Sequence, residues 1–126
     1  MKTIINTNNA PAPIGPYSQA VQAGNFVFLS GQIALNPATG ELVTSDIKTE
    51  TSQVMENIKV ILTEAGIDFN HVVKTTIFLK DMQDFNQVNE VYGTYFTGNF
   101  PARETVQVAG LPKNVNVEIT VTAIKG

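Results

Sequence analysis

The 126-residue chain contains no cysteine and only one histidine, His71. Without cysteine there can be no disulfides, no thiolate metal ligands and no thiol nucleophile. One histidine cannot form a histidine-rich metal cluster, and a catalytic triad built on His71 would need serine or threonine as its nucleophile. We therefore expect His71 to be a surface residue, and we predict that the protein has no metal site.

Basic residues are also scarce. Eight Lys and Arg stand against eleven Asp and Glu, which gives a net charge of −3. The eight are scattered singly, so the sequence has no basic stripe that could follow a phosphate backbone. Nucleic acid is therefore a poor expected partner, although a local patch could still bind RNA.

Long apolar runs are missing too. The first residues of the chain contain no apolar stretch long enough for a signal peptide or a membrane span, so we expect a cytoplasmic protein without a membrane partner. The length predicts a single domain, 1–126, that buries about two thirds of its unfolded surface. Only 15% of the residues are charged, which favours a surface that is partly hidden in an oligomer.

The apolar periodicity predicts six strands and two helices. The first helix begins at Asp46 or Thr49 and ends at Gly66, and the second begins at Asp84 and ends at 98–99. The strands are predicted at 2–7, 18–23, 26–32, 71–80, 105–108 and 115–122. Two β–α–β crossovers then give an α+β domain, with a mixed six-stranded sheet and two helices on one face.

The last two predicted strands alternate apolar and polar residues. Their apolar sets, which include Val106 and Val108 in the first of the two strands, should pack on the helices. The opposite face is rich in Thr, Gln and Asn and carries Glu118 as its charged residue. That composition suits a face buried against another subunit. The apolar run at 26–29 should likewise be covered on both of its faces.

Arg103 and Glu118 carry the strongest chemistry of the sequence. Arg103 follows Pro101 at the start of a strand, and its guanidinium could pair with a carboxylate through two hydrogen bonds. Glu118 could act as a general base if burial raised its pKa. Position alone favours the simpler alternatives, which are a surface arginine, free or paired with Glu104, and a solvated strand glutamate.

Three other positions are candidates for a binding site. Tyr17 leaves a proline-rich loop and could either pin that loop or form the wall of a pocket. Ser30 and Gly31 end an apolar strand, where glycine allows either a bulge or the close approach of a ligand. Asn89 lies on the flank of the second helix's apolar stripe, where a partly buried amide needs hydrogen-bond partners.

Seven short motifs occur in an order and spacing that resemble the reactive-intermediate deaminase family (RidA/YjgF). The resemblance spans essentially the whole chain, and the ordered set is far more specific than any one motif. The motifs are GPYSQ at 15–19, SGQ at 30–32, VKTT at 73–76, VN at 88–89, PAR at 101–103, LPK at 111–113 and VEI at 117–119.

The resemblance implies a chorismate-mutase-like fold and a homotrimer with three clefts between subunits. It also implies hydrolysis of enamine and imine acids, such as 2-aminoacrylate and 2-aminocrotonate, to 2-keto acids and ammonia, without a cofactor or metal. The roles that it implies are a carboxylate clamp for Arg103, activation of water for Glu118, a pocket wall for Tyr17 and support of the cleft for Asn89. The backbone at Ser30 and Gly31 and the side chain of Thr105 would complete the site.

Glu104 departs from the family pattern, since a small hydroxyl residue is frequent at that position. Beside the predicted clamp, its carboxylate could compete for Arg103 and repel an anionic substrate. We rank an imine deaminase first, a non-catalytic binder of small carboxylates second, and a ribonuclease or translation inhibitor third. In each of the first two cases the partner is a small molecule.

Overall fold

The computed structural model describes the whole chain, from Met1 to Gly126. Three short 3₁₀ turns join its strands and helices, at Phe69–His71, Met82–Asp84 and Pro112–Asn114. In chain order the strands and helices are β1 (Lys2–Ile5), β2 (Ala20–Ala23), β3 (Phe26–Gln32), α1 (Ile47–Glu64), β4 (Val72–Leu79), α2 (Phe85–Gly93), β5 (Ala102–Gln107) and β6 (Val117–Ile124).

The six strands form one sheet in the order β1-β2-β3-β6-β4-β5. Strands β4 and β5 are parallel, and every other pair of neighbours is antiparallel. Helix α1 connects β3 to β4 and helix α2 connects β4 to β5, so each helix joins two parallel strands. The predicted α+β class, the mixed six-stranded sheet and the two crossovers are confirmed.

The core lies between the helices and one face of the sheet. Alternate residues of the neighbouring strands β4 and β6 point to this face and are buried, as is the predicted apolar stripe of α1. On the sheet these residues are Thr75, Ile77, Leu79, Val117, Ile119 and Val121, and on α1 they are Val54, Ile58, Ile61 and Leu62. Burial of this continuous apolar surface is the main force that holds the helices on the sheet.

Helix α1 begins and ends where its sequence signals predict. The Asp46 carboxylate accepts a hydrogen bond from the backbone N–H of Thr49, at 2.8 Å, and so caps the first turn. At the other end Gly66 has φ +81°, and the N–H of Ile67 donates to the carbonyl of Leu62 at 3.0 Å. This is the Schellman geometry expected of a glycine just past a helix.

The second helix begins after Asp84, as predicted, but the capping bond expected of Asp84 and the predicted end of the helix at 98–99 are wrong. Asp84 makes no capping bond with its side chain; instead Asp81 accepts from the N–H of Gln83, at 2.9 Å, and starts a 3₁₀ turn before α2. The helix ends at Gly93, and the hydroxyl of Thr94 donates to the carbonyl of Val91 at 2.6 Å. The aromatic residues that follow still pack on the core, which explains why the sequence pattern continues past the helix.

Two strand faces also differ from the prediction. In β4 a register shift between Val72 and Lys74 buries Val72 and exposes Val73, so the alternation is broken at the start of the strand. In β5 the residue opposite buried Thr75 is Arg103. Arg103, Thr105 and Gln107 therefore point toward the helices, and Val106 points away from them, contrary to the prediction.

The sheet face away from the helices, here called the open face, is uncovered in a single chain. Phe26 and Phe28 on β3 are 45% and 47% exposed, and Ile4 and Val106 are exposed on the same face. The expected cover on both sides of residues 26–29 is therefore missing from the chain itself. Neither helix has the length and apolar content needed to cross a membrane. The cytoplasmic location stays a prediction.

Candidate active site

Arg103 lies on the helix side of β5, against α2. Its Nη1 donates to the side-chain oxygen of Asn89 at 2.7 Å. The guanidinium carbon lies 5.6 Å from the ring centroid of Phe85 and 5.2 Å from that of Tyr92, within the range of cation–π attraction. Asn89 thus has the hydrogen-bond partner that its position called for, and three side chains of α2 fix the guanidinium.

Tyr92 is fixed in turn by β4. Its hydroxyl lies 2.7 Å from the hydroxyl of Thr75, deep in the core. Burial raises the pKa of Tyr92, although the hydrogen bond from Thr75 and the charge of Arg103 act in the opposite direction. The ring that faces the guanidinium is therefore neutral at physiological pH.

A cleft of about 490 Å³ opens beside the guanidinium. Its lining includes Asn89, Tyr92, Phe100, Pro101 and Arg103, and Phe100 at the rim is 64% exposed. Arg103 makes no ion pair in the chain and donates one hydrogen bond, so most of its five N–H groups remain free. We call this cleft the arginine half-site. It can take a carboxylate.

Glu104 does not compete for Arg103. Its carboxylate lies on the open face, where it pairs with Lys74 Nζ at 3.1 Å and accepts a hydrogen bond from the hydroxyl of Thr76. These contacts, with the Thr76 bond as the larger cause, lower the pKa of Glu104. Consecutive residues of a strand point to opposite faces, which separates this carboxylate from the guanidinium next to it.

Glu118 lies in a second cleft, of about 370 Å³. The cleft is lined by Ile14, Tyr17, Ser30, Gly31, Ile33 and Pro112 together with Glu118. Burial raises the pKa of the Glu118 carboxyl. The side chain forms no ion pair and no hydrogen bond within the chain, so its oxygens are free for a water or a ligand. We call this cleft the glutamate half-site.

The close approach of Glu118 to β3 requires glycine at position 31. A Cβ on Gly31 would lie 2.1 Å from Glu118 Oε2, far inside contact distance. The strand register shifts between Leu29 and Gln32, which is the bulge that the sequence allowed here. The Ser30 hydroxyl donates to the carbonyl of Ser18 at 2.6 Å, so it ties the bulge to the segment just before β2.

The loop that carries Tyr17 is held by a buried residue that sequence reasoning did not select. The Gln19 amide nitrogen donates to the carbonyls of Thr7 and Pro11, and its oxygen accepts from the N–H of Thr7. Tyr17 itself is about half exposed at the mouth of the cleft. The sequence pattern does not reveal Gln19, because its role depends on Thr7 and Pro11, which only the fold brings close to it.

The two half-sites lie on opposite sides of the sheet. Arg103 is opposite Thr75 of β4, whose side chain points to the helices, whereas Glu118 is opposite Phe78, whose side chain points to the open face. Asn89 and Thr105 belong to the arginine side, and the Thr105 hydroxyl is buried without a hydrogen-bond partner. The remaining candidates, Tyr17, Ser30 and Gly31, lie with Glu118. Within one chain, therefore, the predicted site residues form two groups.

Sequence reasoning placed Phe85 and Tyr92 in the apolar stripe of the second helix and gave them no role in the site. Both flank Asn89 at helical spacing and stack against Arg103. The signal was the combination of aromatics and an amide on one helix face, with a lone arginine elsewhere in the chain. No three His, Asp or Glu side chains come close enough together to hold a metal ion.

Comparison with known proteins gives consistent results over nearly the whole chain. The family described as Endoribonuclease L-PSP matches residues 7–125. A RutC family protein of Pyrococcus horikoshii is 57% identical over 99% of each chain. The 2-iminobutanoate/2-iminopropanoate deaminase of Mus musculus is 50% identical over all of this chain and 92% of its own. The crystal structure of E. coli TdcF with bound serine has a TM-score of 0.94 and 42% identity, and the match covers 98% of this chain and 99% of that one.

Proposed function

The chain belongs to the family described as Endoribonuclease L-PSP, and we propose that it is an enamine/imine deaminase. It hydrolyses 2-aminoacrylate, 2-aminocrotonate and their imines to 2-keto acids and ammonia. The mouse relative named a 2-imino acid deaminase supports this assignment. The observation that carries it is that the chain has two clefts, one with an arginine and the other with a glutamate, and that neither residue forms an ion pair within the chain.

Arg103 holds the carboxylate of the substrate. Its fork of N–H donors matches the two carboxylate oxygens, and each charged hydrogen bond contributes roughly 1.5–3 kcal/mol. Asn89 and the two aromatic rings already fix the guanidinium, so little freedom remains to be lost on binding. The orphaned hydroxyl of Thr105, two residues along the same strand, provides another polar group on this side.

Glu118 activates the attacking water. The carboxylate accepts a proton as the water oxygen bonds to the imine carbon, and the C=N electron pair moves onto nitrogen. The nitrogen gains two protons, which balance the two that the water loses: one passes to Glu118 as the C–O bond forms, and the other leaves the new hydroxyl group as that bond becomes the keto group. With its protons in place the nitrogen leaves as ammonia when the C–N bond breaks. Because the pKa of the Glu118 carboxyl is raised toward neutral pH, its carboxylate is a stronger base. The imine is already electrophilic, so positioning is most of the task and we propose no cofactor.

The two half-sites meet between neighbouring copies of the chain. In this proposal the arginine half-site of one copy faces the glutamate half-site of the next, with Tyr17 of that copy as a wall. Such a seam joins two different patches and closes into a ring. The exposed Phe26 and Phe28 on the open face supply apolar surface for the assembly. Three copies is the number that the family resemblance implies, and sedimentation equilibrium tests it.

A coupled assay tests the activity. A threonine dehydratase generates the enamine in situ, and the protein should accelerate the release of keto acid. Arg103→Ala should abolish that acceleration while the circular dichroism spectrum and the oligomeric state stay unchanged. A folded Arg103→Ala protein with full activity would overturn the assignment. Lys48→Ala, which changes an exposed cation on α1, is the matched control and should remain active.

A second candidate function is the non-catalytic binding of small carboxylates. It is favoured by the serine bound in E. coli TdcF, because an amino acid offers the same carboxylate to an arginine. Glu118→Gln separates the two functions. For a deaminase, turnover should fall about 10²–10⁴-fold, as for loss of a general base, while a keto acid still binds. If the wild-type protein binds keto acids without any turnover, the binding function is the correct one.

A ribonuclease is the third candidate, since the family description names one. The net charge of −3 and the scattered basic residues argue against a phosphate-binding surface. Titration of labelled RNA at low and high salt should show no binding, or binding that salt does not weaken. Tight, salt-sensitive binding with cleavage of the RNA would instead favour the nuclease.

A further inference from the structure

The strongest unexplained feature outside the two clefts is a buried carboxylate, Glu50, in the first turn of α1. It is fully buried and no Lys or Arg pairs with it. An unpaired buried charge is costly unless hydrogen bonds replace the water that it has lost. Its position in the first turn of a helix supplies part of the compensation, because that end of the helix dipole is positive.

All the remaining contacts of Glu50 converge on two residues. Oε2 accepts from the backbone N–H of Asn116 at 2.7 Å and from that of Val117 at 3.2 Å, and Oε1 accepts from Asn116 Nδ2 at 2.7 Å. The carbonyl of Asn116 in turn accepts from the N–H of Lys80 at 3.0 Å. The segment that enters β6 is thus held from the helix layer and from β4 at once.

The turn before this segment needs such support. Lys113 and Asn114 have φ +54° and +57°, two consecutive non-glycine residues in the left-handed region. That conformation is uncommon for L-residues and persists only where the surroundings enforce it. The first residue of β6 beyond the contacts of Glu50 is Glu118, whose carboxylate occupies the space that a side chain on Gly31 would take.

We infer that Glu50 is a positioning residue for Glu118: its carboxylate fixes the entry to β6 and thereby sets where the proposed base meets the water. The inference rests on the proposed function of Glu118. Glu50 touches neither cleft, so its effect is transmitted through the backbone of Asn116 and Val117. A small displacement there moves Glu118 relative to the β3 bulge, and a misplacement of about 1 Å costs catalytic rate.

Glu50→Gln tests the inference, because it keeps the shape of the side chain but removes its charge and replaces one of its two acceptor oxygens by an NH₂ group. We expect kcat to fall at least about tenfold with KM changed less than twofold, since the arginine half-site is untouched. In the same variant the carboxyl titration of Glu118, followed by NMR, should move toward the ordinary glutamate value as the side chain leaves its cleft. The trimer should persist.

Two controls on the same helix separate positioning from stability. Glu56→Gln makes the same chemical change where the partner is the Tyr95 hydroxyl, and it should leave kcat and the Glu118 titration unchanged. Val54→Ala removes buried apolar volume but none of the hydrogen bonds to Asn116 and Val117, so it should lower the melting temperature and leave kcat unchanged. If Glu50→Gln behaves like Val54→Ala, Glu50 is only structural and the inference is wrong.

The NMR titration also distinguishes failure of this inference from failure of the proposed function. Its result does not depend on turnover, so a shifted Glu118 titration supports the positioning role even if no deaminase activity is found. Tyr17 is the other titratable side chain lining the Glu118 cleft, Lys113 lines the adjoining one, and the Lys74–Glu104 pair lies on the same sheet face. If Glu50→Gln does not fold, Asn116→Ala removes only the side-chain bond and should produce the same changes on a smaller scale; wild-type kcat and Glu118 titration in that variant would overturn the inference.

Discussion

The two half-sites are held in place by different means. In the arginine half-site, side chains fix the guanidinium: Asn89 accepts a hydrogen bond from it, and the rings of Phe85 and Tyr92 stack beside it. In the glutamate half-site, the backbone determines the position of Glu118, through a bulge in β3 and a turn in which Lys113 is left-handed. Substitutions in the first should therefore act locally, whereas in the second a distant residue can move the functional group.

The two functional groups also differ in how their charge is controlled. The guanidinium of Arg103 is permanently charged, so its contacts only need to orient it. The Glu118 carboxyl is tuned by burial, which raises its pKa, and it has no cation nearby to reverse the effect. An environment built from backbone and apolar side chains suits a group that must lose and regain a proton.

Mixing two inactive variants tests whether the half-sites of neighbouring chains combine into one active site. Arg103→Ala and Glu118→Gln should each be inactive alone. When both are unfolded together and refolded, random assembly places an intact arginine half-site against an intact glutamate half-site in about a quarter of the seams. The coupled assay should therefore recover about a quarter of the wild-type activity.

The control for this experiment is the same mixture made without unfolding, so that subunits cannot exchange. It should stay inactive. Recovery that is absent after confirmed subunit exchange, measured by mass spectrometry of the mixed oligomers, would show that the site does not combine residues of two chains.

Gly31→Ala tests the glutamate half-site by itself, because it leaves the arginine half-site unchanged. The new Cβ would lie 2.1 Å from Glu118 Oε2, and because the end of that side chain is flexible it should swing away rather than unfold the strand. We expect kcat to fall roughly 100-fold, the scale of a misplacement of about 1 Å, with little change in melting temperature. Gly110→Ala, where nothing lies within 4 Å of the new Cβ, should have wild-type kinetics.

The sequence predicted the sheet and the helix layer because those depend on periodicity. Alternation in β6 and helical spacing in α1 each have one solution that buries the apolar residues, and the structure adopts it. The pattern failed at β5, where the apolar residue Val106 points away from the helices. Periodicity cannot tell which face of an edge strand is covered when both sets are partly exposed.

The site could be predicted only as a set of residue types. Arg103 and Glu118 were evident as the chemically strongest residues, but their placement on opposite sides of the sheet depends on strand register. Sequence spacing does not encode that register. Glu50 and Gln19 were missed for a related reason: a buried polar residue is recognisable only when its partners, far along the chain, are known.

Asn89→Ala tests the arginine half-site by loosening the guanidinium while leaving its charge. Loss of the 2.7 Å hydrogen bond should raise KM about tenfold, or about 1.4 kcal/mol. The value of kcat should change little, because in the proposed seam the water is activated by Glu118 of the neighbouring copy, which Asn89 does not hold in place. Asn86→Ala, at an exposed position of α2, is the matched control and should leave KM unchanged. An equal fall of kcat in Asn89→Ala would show that the two half-sites are not separable.

The smallest expected effect concerns stability, and it contrasts two glutamates of the open face. The folded-state pKa of Glu118 is raised above its ordinary value of 4.5 by burial, so its ionised form destabilises the fold. That cost is absent below the unfolded pKa and complete above the folded one. Glu118→Gln should therefore be slightly more stable than the wild type at pH 7, and the gain should vanish near pH 4.

Glu104 has a lowered pKa because of Thr76 and Lys74, so Glu104→Gln should show the opposite sign: a loss of stability at pH 7 that disappears as pH falls through its folded pKa. Denaturant unfolding at both pH values measures the two differences, and the same sign for both variants would contradict the assignment of Glu118 to a desolvated cleft.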